Sequence, residues 1–188
     1  MSKLISVINI TPDGFCDHTQ VVADEEHHQF INELLKNADM VLLGRVTYEL
    51  FESYWPLALK DLTLPEPVQE FARLINEVEK VVVSSKIHKA AWHNTTGIND
   101  LTEGTLAELR LRSKKNILLL GSPGVLAELV NANCIDEYYF SIQPMLGGKG
   151  KRLFEKVELN EIQGLKLTDT KTFKSGVVTL RYQNINTR

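Results

Sequence analysis

The chain has 188 residues, 43% of them hydrophobic and 24% charged, which is the balance of one soluble globular domain rather than a tail or a fibre. With 21 Lys and Arg against 24 Asp and Glu the formal charge is -3, so no basic field exists to attract nucleic acid or anionic lipid. The longest apolar runs, Met40 to Leu43 and Ile117 to Leu120, are four residues each, against the roughly 18 to 20 that span a bilayer.

At the amino end Ser6 and Asn9 interrupt the apolar stretch and no small-residue cleavage site follows, so the segment reads as a first strand of a cytoplasmic protein. Leu4 to Ile10 alternates as a strand, and Thr11-Pro12-Asp13-Gly14 supplies a turn, with a loop onward to Ala23. Asp24 is suited to cap a helix. Glu25 and Glu26 suit its positive end, and Phe30, Ile31, Leu34, Leu35 and Ala38 give the helical spacing. Met40 to Gly44 is then apolar on both faces, as in the middle of a covered parallel sheet. The alternation continues with a helix over Val68 to Asn76, a strand Val81 to Val83, a helix over Thr105 to Arg112 and a strand Ile117 to Leu120. This is α/β architecture with right-handed crossovers. After a helix over Val125 to Asn131, three strands follow at Glu137 to Gln143, Gln163 to Thr172 and Val177 to Tyr182, so the sheet should finish antiparallel. No repeat or linker divides residues 1–188.

Ligands of open α/β sheets bind beyond the carboxyl ends of the strands. Three such ends favour an anion: Gly44-Arg45-Val46-Thr47-Tyr48, Ser84-Ser85-Lys86 and Gly121-Ser122-Pro123-Gly124. In the third, Ser122 is a favoured cap and Pro123 a favoured first helical residue, which would aim free amides at a pyrophosphate, although the same turn also serves as a plain strand-to-helix connection. Arg45, Thr47, Ser84, Ser85 and Lys86 add charge and hydroxyls suited to a phosphate monoester. There is no G-x-G-x-x-G after the first strand, and Gly147 to Gly150 lacks the partners of a P-loop and reads as a plain loop. Cys16 and Cys134 read as separate reduced thiols, His27 as a half-buried packing residue and His18 as a residue that could line a site; no ligand pair supports a metal.

With those strand ends in view, the sequence resembles the dihydrofolate reductase superfamily, in particular the branch of the C-terminal reductase domain of riboflavin-synthesis deaminase-reductases. The resemblance spans nearly the whole chain. Its residues are Ile8 to Gly14, Leu42 to Glu49 with Trp55-Pro56, Val83 to Lys86, Leu119 to Gly124, Ile135 to Glu137, Pro144 to Gly150 and Lys171 to Val177. It implies a mixed, mainly parallel sheet with flanking helices and an antiparallel carboxyl-terminal end, and hydride transfer from bound NADPH to a pterin-, pyrimidine- or flavin-like substrate. Carried over residue by residue, Gly44, Arg45, Thr47, Ser84, Ser85 and Lys86 would hold the adenosine side and its extra phosphate. Gly121, Ser122, Pro123, Gly124 and Val125 would cradle the pyrophosphate, and Asn9, Ile10 and Gly14 would border the nicotinamide. Tyr48, Trp55 and Gln143 are assigned to the substrate side, and Asp17 to proton delivery. Asp13, Asp17, Asp24 and Glu25 lack the Trp-plus-acid context of folate reductases, so strict dihydrofolate reduction is not expected. Neither H-x-E nor C-x-x-C is present, so the zinc deaminase half is missing. A stand-alone riboflavin-pathway pyrimidine reductase and a non-catalytic nucleotide-binding protein are the alternatives, and a homodimer fits the family.

Overall fold

The computed structural model describes residues 2–19, 21–86 and 90–186. In chain order it contains β1 Leu4–Ile10, α1 Glu25–Lys36, β2 Ala38–Gly44, α2 Arg45–Ala58, α3 Glu66–Glu77, β3 Glu79–Val83 and β4 Thr95–Ile98. There follow α4 Glu103–Arg112, β5 Asn116–Leu120, α5 Pro123–Asn131, β6 Glu137–Ile142, β7 Leu165–Thr172 and β8 Val178–Asn184. The strands form one sheet in the order β4-β3-β2-β5-β1-β6-β8-β7. Pairing is parallel from β4 through β6 and antiparallel from β6 through β8 to β7, as the sequence pattern implies.

Two apolar layers hold the sheet. On one face Leu4, Ile8, Met40, Leu42, Ile117 and Leu119 pack against Leu106 and Leu109 of α4 and Leu126 and Leu129 of α5. On the other, Ile5, Val7, Val41, Leu43, Leu118 and Leu120 meet Ile31 and Leu35 of α1 and Phe71 and Ile75 of α3. Successive strand residues point to opposite faces, so a run such as Met40 to Leu43 must be apolar throughout to serve both layers. Asp24 caps α1 as expected, its carboxylate accepting the His27 amide at 2.8 Å.

Two elements differ from the sequence expectation. The helix α2 follows Gly44 with no connecting loop and no side-chain cap, opens on a cation, and carries Pro56 near its end, so it shows none of the usual start signals and one breaker. The strand β4 is four residues with Gly97 inside and lies at the edge of the sheet, where half its residues stay exposed and no apolar alternation is needed. His27 is more deeply set than half-buried: it is 5% exposed, packed on Phe30 and Phe173, with Nε2 3.4 Å from Ser141 Oγ. Burial, and after it the neighbouring His28, lowers its pKa to about 4.

Candidate active site

Because β3, β2, β5, β1 and β6 are parallel neighbours, their carboxyl ends lie side by side on one rim of the sheet. Val83, Gly44, Leu120, Ile10 and Ile142 close those strands in that spatial order. The rim therefore gathers Ser84 to Lys86, Gly44 to Thr47, Gly121 to Val125, Asn9 to Gly14 and Gln143, which are far apart in sequence.

At its centre the starts of α2 and α5 meet. Ser122 Oγ accepts the Gly44 amide at 2.8 Å and donates to the Leu120 carbonyl at 3.0 Å. Ser122 holds the cap position of α5 but has φ 55, makes no side-chain capping bond and is 4% exposed. The expected cap is thus a cross-strand tie, because the left-handed backbone turns the hydroxyl toward the end of β2. Gly121 also has positive φ, +57, and a Cβ there would lie 3.6 Å from Thr47 Cγ2. A Cβ on Gly44 would come within 3.2 Å of Val125 Cγ2, so the two helix starts approach closely only because position 44 has no side chain. The Gly44 and Gly121 amides are engaged, by Ser122 and by the Val7 carbonyl, which makes both glycines spacers.

What the centre presents outward is a set of donors. Pro123 opens α5, and among the described residues the amides of Gly124 and Val125 donate to nothing. A Cβ at Gly124 would meet nothing within 4 Å, so the flank of the helix start at that residue is uncrowded. Together with the dipole of α5 this is a cradle whose chemistry fits a phosphate or pyrophosphate. Arg45 is the first residue of α2 and pairs with Glu49, while at the next strand end Ser84 Oγ accepts the Lys86 amide and Ser85 and Lys86 stand exposed.

On the β1 side the loop is tightly tied. Gly14 has φ +89 and closes a turn by donating to the Thr11 carbonyl at 2.9 Å. Thr11 is buried; its hydroxyl donates to Asp13 Oδ1 at 2.6 Å and accepts the Phe15 amide. Asp13 in turn accepts the amides of Gly147 at 3.0 Å and Gly148 at 2.8 Å. These bonds, the Thr11 hydroxyl first, lower its pKa to about 2. The loop after β6 is thereby fastened to the loop after β1, a role for Asp13 that its turn-forming sequence context concealed.

Three residues assigned to substrate or proton transfer have other work. Gln143 is fully buried: Nε2 donates to Asn9 Oδ1 at 2.8 Å and Oε1 accepts the Val22 amide at 2.7 Å, so it clamps the rim instead of facing a substrate. Tyr48 is 3% exposed inside the α1/α3 layer, its hydroxyl donating to Glu52 at 2.6 Å and accepting the Trp92 amide at 3.2 Å. Asp17 accepts the Thr19 hydroxyl at 2.7 Å and the Thr19 amide at 2.9 Å, which hold its carboxyl below the ordinary range and make it a poor proton donor. Trp55 remains half-buried, with ring centroids 4.4 Å from Phe71 and 6.4 Å from His28. Sequence reasoning passed over His28. Its Nδ1 lies 2.9 Å from the Asp24 carbonyl, the geometry of an Nδ1–H donor, which leaves Nε2 without a partner among the described residues. The signal was available in the spacing, since residue 28 sits one turn after the Asp24 cap.

Comparison with known proteins places this arrangement. The protein YyaP of Bacillus subtilis is 27% identical over 183 residues, covering 96% of this chain and 94% of that one. The pyrimidine reductase-like protein of Corynebacterium diphtheriae superposes with a TM-score of 0.68 at 14% identity, over 98% of this chain and 92% of the other. A diaminohydroxyphosphoribosylaminopyrimidine deaminase/5-amino-6-(5-phosphoribosylamino)uracil reductase of Thermotoga maritima gives 0.67 at 15% identity, over 97% of this chain and 56% of that longer protein. Dihydrofolate reductase of Enterococcus faecalis, solved with NADP(H), gives 0.62 at 14% identity over 98% of this chain and 97% of that one. The fold is dihydrofolate-reductase-like. The sequence model of the RibD C-terminal domain matches residues 2–179, and the chain belongs to that family.

Proposed function

We propose that the protein is an NADPH-dependent reductase acting on a small pyrimidine-like heterocycle. The observation that carries this reading is the meeting of two helix starts at adjacent strand ends, where the Gly124 and Val125 amides have no acceptor among the described residues and Arg45 opens the neighbouring helix. The amides would hold the pyrophosphate, and Arg45 with Ser84, Ser85 and Lys86 would hold the phosphate on the adenosine ribose. Asn9, Ile10 and Gly14 would border the nicotinamide. NADPH, when bound, supplies the hydride; the chain orients it and sets the surrounding charge. His28 takes the place of Asp17 on the substrate side, with Trp55 beside it, because its Nε2 is uncommitted where Asp13, Asp17 and Asp24 are each engaged. The family match and the pyrimidine reductase-like neighbour support a pyrimidine over a pterin.

The same reading includes a homodimer. The strand β7 is exposed at all eight residues and forms an open sheet edge, flanked by Ile162 at 92% and Ile185 at 62% exposure. A second copy pairing antiparallel there would cover both the edge and the apolar side chains. The activity is tested by following NADPH oxidation with pyrimidine, pterin and flavin acceptors. Turnover with a pyrimidine is expected, and NADPH binding with no turnover of any acceptor would leave a nucleotide-binding protein without catalysis.

A further inference from the structure

A cation at the amino end of a helix opposes the helix dipole. Among the described helices α1, α3 and α4 obey this rule with Glu25 and Glu26, Glu66 and Glu103 in their first turns, and α5 has no acid there. Only α2 opens on a cation, Arg45, and it has no acid in its first turn. The dipole disfavours that choice, and a nearby anion offsets it. In the structure that anion is Glu49, one turn on: Arg45 Nη1 lies 2.9 Å from Oε1 and 3.0 Å from Oε2, with the two side chains 40% and 51% exposed. The pair is also in the weaker order for a helix, since the acid follows the base.

We infer that Glu49 is a specificity-determining residue that stands in for a phosphate monoester, holding Arg45 until the phosphate on the adenosine ribose takes it. This rests on the NADPH reading. A phosphate monoester brings close to two charges and three acceptor oxygens to a guanidinium, where Glu49 brings one charge and uses a single nitrogen. The phosphate therefore wins Arg45, and the displaced carboxylate stays one helical turn away as a like charge. NADH carries a hydroxyl at that place and leaves the Arg45–Glu49 pair intact. Glu49 thus weakens NADPH selectively and keeps the guanidinium from recruiting other anions.

Calorimetric titration of the full chain with NADPH and with NADH decides the matter, using the wild type, Glu49→Gln, Arg45→Gln and the double variant at low and moderate salt. Glu49 is exposed, so its variant should fold normally. Glu49→Gln is expected to tighten NADPH about two- to tenfold at low salt, less as salt rises, with NADH unchanged. The part of the gain that comes from releasing Arg45 should be lost when Arg45 is already glutamine, leaving only the like-charge part that salt screens. Unchanged NADPH affinity, an equal change for both cofactors, or weaker NADPH would each overturn the inference, the last by making Glu49 a support for Arg45. If wild type binds neither cofactor, the reductase reading itself falls and takes this inference with it, an outcome separable from the other three.

Discussion

Replacing Gln143 with leucine keeps most of its volume and removes the amide. Two partners are then stranded beside a fully buried position, both of them on half-buried residues: the Val22 amide, held at 2.7 Å, and Asn9 Oδ1, held at 2.8 Å. A buried polar group left without a partner costs about 1–3 kcal/mol, so the pair should cost about 2–4 kcal/mol, somewhat relieved where the loop can move to reach water. For a domain of this size that is a fall in Tm of about 5–15 °C. Thermal and urea unfolding give the magnitude, and hydrogen exchange gives the location, because the Val22 amide should lose its protection while the amides of β2 and β5 keep theirs. NADPH affinity should fall less than stability does, since Gln143 acts through the placement of Asn9. A variant as stable as the wild type that binds NADPH normally but fails in turnover would refute the clamp and return Gln143 to the substrate.

Arg45→Ala should weaken NADPH about ten- to a hundredfold and leave NADH nearly unchanged, since charge-assisted hydrogen bonds are worth about 1.5–3 kcal/mol; equal losses for both cofactors would remove Arg45 from the site. Gly121→Ala places a Cβ at φ +57 and should cost about 1–2 kcal/mol in urea unfolding, whereas an unchanged midpoint would show that the turn relaxes. His27 titrates near 6.5 in the unfolded chain and near 4 in the folded one, so the unfolded chain binds more protons between those values. Stability should be flat in this respect above about pH 6.5, decline as pH falls to about 4 by up to ~3 kcal/mol, and His27→Phe should flatten that slope.

The strands of the parallel region, the edge strand β4 excepted, were legible because both of their faces are covered, which forces unbroken apolar runs such as Ile117 to Leu120. Rim positions were legible as well, since a residue after a strand's carboxyl end must lie on the rim whatever its neighbours are. Side-chain direction was not. Ser122 is turned by Gly44, 78 residues away; Gln143 by Val22, 121 away; and Asp13 is claimed by Gly147, 134 away. Local pattern carries no information about partners at such separations, so the hydroxyl of Ser122 read as a cap and the amide of Gln143 as a substrate contact. Tyr48 was misplaced for a related reason: without α2 in view, a residue four positions past β2 looks like part of an open loop rather than the buried face of a helix.

In the proposed site the paired starts of α2 and α5 hold the phosphates of NADPH. Calorimetric titration in EDTA, with backbone amide resonances followed in parallel, tests it most directly. One NADPH per chain should bind with saturation, raise the unfolding temperature, and shift the Gly124 and Val125 amides more than those of the opposite, amino-terminal rim of the sheet. An absence of heat and of thermal stabilisation at millimolar NADPH, or saturable binding that leaves those two amides unmoved, would contradict it.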